Sequence, residues 1–258
     1  MQLKSFVLFA LSVASFVVAV PNAESKRQAV PLAAVYTTCV KPRTIAFTFD
    51  DGPHIYNYDI LEALKKVGAK GTFFLNGNNW NCIYDLDQTV RNIHSEGHQI
   101  GSHTWSHPNL KTLKTKEEII AQLQPVDDAL MKIVGVKPAM MRPPYGEYND
   151  MVRAVAASRG QSLVNWDFDS GDSIGLPLKD SVAAYDALLK SNQSTIIALN
   201  HETSQTTAQK LIEDVMPKFK AAGYTLDTVA GCLGLEPYQN VGIPGTRDAS
   251  WTCTNGPK

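Results

Sequence analysis

Between Thr44 and Leu226 short β-rich runs alternate with amphipathic helical stretches, and this alternation constrains the fold more than any other feature of the chain. Thr44 to Phe49, Thr72 to Leu75, His98 to Gly101, Ala139 to Met141, Ser162 to Trp166, Thr195 to Leu199 and Tyr224 to Leu226 read as strands, rich in apolar and β-branched residues. Helical spacing separates them. Ile60, Leu61, Leu64 and Val67 share one face of a stretch from Asp59 that Gly68 closes. Further helices are expected over Leu86 to Ser95, Glu117 to Ile133, Asp150 to Ser158, Asp180 to Lys190 and Thr207 to Ala222. Seven strand-like runs alternating with helices predict a parallel α/β arrangement. No GxGxxG follows the first run, so a closed or nearly closed barrel is the more natural form than an open dinucleotide-binding sheet.

In parallel α/β folds the working residues gather at the carboxyl ends of the strands. Four polar clusters fall there. Asp50-Asp51-Gly52-Pro53 directly follows the first run; an isolated Asp-Gly pair is usually a solvated turn, but two adjacent carboxylates after so apolar a stretch ask for more. His103 and His107 share an i, i+4 spacing that lets one helical turn present both imidazoles to a single ion. With Asp51 they would complete a two-histidine, one-carboxylate set with positions left open. His94 and His98 have the same spacing, but Gly97 and a strand start intervene, and they read as structural.

Arg142-Pro143-Pro144-Tyr145 ends the fourth run. The guanidinium fork can hold a carboxylate in one orientation, and the prolines leave the Tyr145 N–H free for a ligand. Last come Asp167, Asp169 and Asp172, with Leu199-Asn200-His201 after the sixth run. A histidine at a strand end beside an acidic loop suits a general acid whose pKa a carboxylate raises.

Lys4 precedes an apolar run from Phe6 to Val20, with Ala19 as a small residue at a cleavage site, which predicts a secretory signal over residues 1–19. The run is shorter than the roughly 20 apolar residues of a membrane span, and no later segment is apolar enough for one. Lys26-Arg27 suggests a short pro-segment over residues 20–27, leaving residues 28–258 as a single catalytic domain with a core at 44–226 and a wrapping tail at 236–258. Cys39, Cys82, Cys232 and Cys253 form no CxxC, so disulfides in an oxidising compartment are expected. Four cysteines allow three pairings, and the sequence alone does not choose among them. A Cys39–Cys232 bridge would close the alternating region near its ends and leave Cys82 with Cys253. Asn192 heads the one N-glycosylation sequon. A formal charge of −1 gives no footprint for nucleic acid.

Taken in order, Thr48-Phe49-Asp50-Asp51-Gly52-Pro53, His103-Thr104-Trp105-Ser106-His107, Arg142-Pro143-Pro144-Tyr145, Asp169-Ser170-Gly171-Asp172 and Leu199-Asn200-His201 resemble the motifs of carbohydrate esterase family four. These are the polysaccharide deacetylases with a NodB-homology domain, and the likeness runs from about Thr44 to Leu226. The stretch from Gly97 to His107 and Ala230-Gly231-Cys232-Leu233-Gly234 bring it nearest to the fungal chitin deacetylases. The resemblance implies a distorted parallel (β/α) barrel of about seven strands, working as a monomer. It implies a secreted hydrolase that removes N-acetyl groups from chitin or chitooligosaccharides to give chitosan and acetate. It also implies that Asp51, His103 and His107 bind a divalent metal. Zinc comes first, with cobalt as a substitute, because two imidazoles disfavour magnesium and calcium.

By the same likeness Asp50 is the general base and Arg142 orients it. The Tyr145 backbone N–H holds the oxyanion, Leu199 meets the acetyl methyl and Trp105 is a further substrate contact. His201, tuned by Asp169, protonates the leaving amine. One departure stands out, since Ser173 occupies a place where the family often carries an aromatic residue. Alternatives from the same residues are an O-deacetylase of acetylated xylan and an inactive chitin-binding protein. An iron oxygenase shares the triad but needs a mostly β fold.

Overall fold

The structure, a computed structural model, describes residues 31–254 and 256–257; the expected signal and pro-segment lie outside the described residues. In chain order the elements are β1 (Val35–Tyr36), β2 (Thr44–Gly52), α1 (Asn57–Lys66), β3 (Thr72–Leu75), α2 (Asp87–Ser95), β4 (Gln99–Ser102) and α3 (Lys116–Val134). There follow β5 (Val136–Pro138), β6 (Met140–Met141), α4 (Asp150–Ser158), β7 (Ser162–Val164), β8 (Phe168–Asp169) and α5 (Leu178–Ser191). β9 (Thr195–His201), α6 (Ile212–Ala221), β10 (Thr225–Leu226), α7 (Val229–Leu233) and β11 (Tyr238–Val241) complete the chain.

The main sheet runs β1-β7-β6-β4-β3-β2-β9-β8, with β10 also on β2, and every pairing in it is parallel. It curls into a half-barrel. Contacts between successive helices follow the order α4-α3-α2-α1-α6-α5 around the outside. The result is the distorted parallel (β/α) barrel expected. β7 and β8 are consecutive in the chain yet stand near opposite ends of the strand order, so residues 165–167 cross the open seam.

The sequence of β2 shows how the barrel is filled. Successive side chains of a strand face opposite ways. Ile45, Phe47 and Phe49 join the larger core beneath the helices, with Ile60, Leu64, Tyr185 and Phe219. Ala46 instead joins Phe74, Met140, Val164 and Ile197 in a second, inner cluster. Thr48 and Asp50 continue that inward row, so one strand carries an apolar plug below and a carboxylate above. β9 repeats the logic: Ile196 and Ala198 pack under helices, while Ile197, Leu199 and His201 alternate with them.

α3 begins with a capping box between Thr115 and Glu118 and ends at Gly135 in the left-handed region (φ 75°). A Cβ there would lie 2.5 Å from the Gly242 carbonyl, so the tail passes directly over this cap. β11 then pairs antiparallel with β5. Cys39 is bonded to Cys232 and Cys82 to Cys253, the pairing in which the first bridge closes the alternating region. The expected helix from Thr207 starts instead as a single π-helical turn, Thr207–Leu211, before α6. No helix among the described residues is long and apolar enough to cross a membrane.

Candidate active site

The site sits where β2, β4, β6 and β9 end. Asp50 is paired in register with His201 across β2 and β9. In a regular strand Asp51 would point away from Asp50, but its φ of 70° breaks the alternation. Both carboxylates therefore meet the same imidazole: His103 Nε2 is 3.7 Å from Asp50 Oδ2 and 3.8 Å from Asp51 Oδ1. His107 Nε2 is 3.4 Å from that Asp51 oxygen.

The two histidines converge, though not on a helical turn as their spacing suggested. Residues 103–109 form a non-helical loop in which Thr104 and His107 take left-handed φ values of 70° and 59°. The loop is braced by Thr104 Oγ1, which accepts from the His107 N–H at 3.1 Å. His103 Nδ1 donates to the Arg142 carbonyl at 2.7 Å, which leaves Nε2 unprotonated and facing the site. Burial, aided by His107, pushes the His103 pKa down to about 3, so this imidazole is neutral, as a ligand must be. Ligand atoms of Asp51, His103 and His107 all lie within 4.8 Å of one another. Two imidazole nitrogens and one carboxylate oxygen suit zinc or a similar transition ion, so these residues fit a metal.

Arg142 is fully buried behind this group. Its Nη1 donates to Asp50 Oδ1 (2.8 Å) and to Thr48 Oγ1 (2.6 Å), and Nε and Nη2 donate to the Val164 and Asn165 carbonyls. The guanidinium stacks over Phe74, 4.3 Å from the ring centroid. Asp50 is thus held by a charged fork that is itself pinned at four points. Burial raises the Asp50 pKa above its ordinary value even against this guanidinium. Its second oxygen, Oδ2, faces the histidines.

Across the pocket the partner of His201 is Asp172, not Asp169 as expected. His201 Nδ1 and Asp172 Oδ1 are 2.7 Å apart, and Asp172 Oδ2 accepts from the His201 N–H (2.7 Å) and from Thr207 Oγ1 (2.8 Å). Asp169 instead accepts from the Gly171 N–H in its own turn at 2.8 Å. Burial alone would lower the His201 pKa, but the bond and charge of Asp172, with help from Asp50 and Asp51, raise it to about 9. Asp172 is correspondingly lowered, its bonds to His201 outweighing the upward push of burial.

These groups open onto a pocket of about 330 Å³ walled by Tyr145, Trp166, Asp169, Ser173 and Leu199. Tyr145 stands 64% exposed, its ring edge-on to His107 with centroids 4.8 Å apart. Trp105, expected to touch substrate, does not line it. Its indole is buried against Gly77 and Gly256, where an added Cβ would come within 1.9 and 2.2 Å of the ring. Trp105 is a prop behind the histidine loop.

One buried acid went unforeseen. Glu202, immediately after His201, accepts from the His54 N–H (2.7 Å) and from Asn57 Nδ2 (3.0 Å) beneath the Asp51 turn. Burial, reinforced by Asp51 and Asp50, raises its pKa to about 8. Its place directly after a strand-end histidine was the available signal.

Residues 37–164 match the family model described as polysaccharide deacetylase. Two fungal relatives extend the likeness into the half that carries His201. A chitin deacetylase of Pestalotiopsis sp is 37% identical over 233 residues, covering 88% of this chain and 76% of the relative. A chitin deacetylase of Arthroderma benhamiae is 35% identical over 82% of this chain, which spans 57% of that longer protein. In three dimensions the chitin deacetylase of Colletotrichum lindemuthianum superposes with a TM-score of 0.76 at 29% identity, over 83% of this chain and 97% of that one. Likeness at this level, over nearly the whole described barrel, means that the chain belongs to the polysaccharide deacetylase family of enzymes.

Proposed function

We propose that this protein is a secreted, metal-dependent N-deacetylase that hydrolyses acetamide groups of N-acetylglucosamine units in chitin or chitooligosaccharides, releasing acetate and leaving chitosan. The observation that carries the reading is the division of one pocket. A buried carboxylate lies beside a two-histidine, one-aspartate set on one wall, and an aspartate-backed imidazole lies on the other. Chitin as substrate is drawn from the names of the fungal relatives. Secretion is supported by the two disulfides, which suit an oxidising compartment.

Asp51, His103 and His107 would hold the metal, with zinc favoured by the imidazole pair, and it would supply Lewis-acid polarisation of the acetamide carbonyl and the attacking water. Asp50 takes the proton from that water. Its raised pKa makes it a better base than an exposed aspartate, and Arg142 holds it in one orientation. The Tyr145 N–H, on a residue turned into the left-handed region, donates to the developing oxyanion. Leu199 faces the acetyl methyl. His201, kept protonated by Asp172, gives its proton to the amine nitrogen as the C–N bond breaks.

The test is acetate release from N-acetylglucosamine oligomers by protein stripped with chelator and then reloaded with zinc, with acetylated xylan as the parallel substrate. Release that follows the zinc supports the reading. Release from xylan alone moves the substrate to O-acetyl groups, and none from either favours a binding protein. Asp50→Asn is expected to lower the rate by about 10²- to 10⁴-fold, the usual worth of a general base, while zinc stays bound. A near wild-type rate would falsify its role.

A further inference from the structure

The loop after β3 reaches the ligand-type residues through two amides. Asn76, buried just past the strand, donates from Nδ2 to the carbonyls of His103 (2.5 Å) and Thr104 (3.0 Å). Carbonyls only accept, so the orientation of this amide is forced and its Oδ1 faces the other way. That oxygen accepts from Asn79 Nδ2 at 3.2 Å, which forces the second amide as well. Asn79 Nδ2 also donates to Asp51 Oδ1 at 3.3 Å. This is the oxygen that lies 3.4 Å from His107 Nε2 and 3.8 Å from His103 Nε2. Two side chains outside every motif thus join the backbone of one histidine to the carboxylate facing both.

We propose that Asn79, backed by Asn76, is a positioning residue for a divalent cation held by Asp51, His103 and His107. The inference rests on the reading of those three as metal ligands. Asp51 occupies a left-handed position at a strand end, and Arg142 spends its donors on Asp50, Thr48 and two carbonyls. The hydrogen bond from Asn79 fixes the rotation of the Asp51 carboxylate. Asn76 transmits the position of the histidine loop to it, so that the carboxylate and the imidazoles keep one spacing. Hydrogen-bonding partners of this kind are commonly worth 10- to 100-fold in metal affinity, roughly as much as their ligand's orientation matters.

Asn79 is exposed, so its removal leaves the packing intact. The experiment titrates metal-free wild type, Asn79→Ala and Asn78→Ala with zinc in competition with a chromophoric chelator, alongside metal-free melting temperatures. Asn79→Ala is expected to weaken zinc binding by about 10- to 100-fold with an unchanged metal-free Tm. Asn78→Ala, on the same exposed loop, keeps the wild-type affinity. Zinc binding by Asn79→Ala within about three-fold of wild type, well short of the usual effect, overturns the inference alone. So does an equal loss in Asn78→Ala, because the loop and not the amide would then be responsible. A wild-type protein that takes up no zinc overturns the metal reading, and this inference with it.

Discussion

The chemistry of single residues here is set by which neighbour wins against burial. His103 is buried and His201 only partly exposed, and loss of water disfavours the charged imidazole in each. Only His201 has a carboxylate bonded to its ring, and the two pKa values part to about 9 and about 3. In metal-free protein, imidazole NMR should therefore find His201 titrating near 9, and Asp172→Asn should lower it clearly, since only Asp50 and Asp51 are then left to oppose burial. A pKa that stays high in the variant would show that Asp172 is not the cause. The sign for stability follows. A His201 pKa raised on folding and an Asp172 pKa lowered mean that this pair contributes fully between the ordinary carboxylate range and pH 6.5, fades as pH rises through about 9, and is lost again in acid as Asp172 takes up a proton. Sequence reasoning reached the histidine and the acidic loop but picked the wrong aspartate. Asp169 and Asp172 differ only in which way a turn through left-handed Gly171 swings them, and no local pattern encodes that.

At the scale of elements, the long runs were legible because their periods are strong. TIAFTF alternates, and its two faces went to two different cores. Two-residue strands such as Val35–Tyr36 and Phe168–Asp169 were not legible, because neighbouring strands hold them and they have no pattern of their own. The loop carrying His103 and His107 was misread as helical for a related reason. A β-branched residue such as Thr104 normally avoids positive φ, so nothing in its identity announces the turn. Four of the six non-glycine residues with positive φ among those described, Asp51, Thr104, His107 and Tyr145, belong to the loops that build the pocket. Such positions cost about 1–3 kcal/mol each and persist where the surroundings over-determine them. The Asp51 turn shows the means. A Cβ on Gly52 would fall 2.1 Å from Glu202 Oε1, and both Glu202 oxygens are held by hydrogen bonds. Gly52→Ala should accordingly cost about 1–3 kcal/mol in thermal unfolding of the metal-free protein, as overpacking generally does. An unchanged Tm would mean that Glu202 yields freely and is no support for the turn.

At the scale of the molecule, two covalent ties hold the chain's later part to its earlier part. Cys39–Cys232 spans 193 residues and Cys82–Cys253 spans 171, so each constrains most of the unfolded chain. Replacing both Cys39 and Cys232 by Ser should cost about 2–5 kcal/mol in denaturant unfolding, and a loss under ~1 kcal/mol would indicate that the reduced chain already keeps its ends together. The parallel sheet raises a different matter, because a barrel left open must end in two strands with unpaired backbone. Exposed strand edges are where proteins recruit one another into aggregates, and the usual defences are charge, proline or brevity. Here the last strands at either end of the sheet, β1 and β8, are two residues each, and a third protein segment, residues 165–167, runs across the gap between their sides. Neither edge is long enough to template a new strand. The same incompleteness that hid these strands from pattern reading thus serves as protection against misassembly when the protein is concentrated.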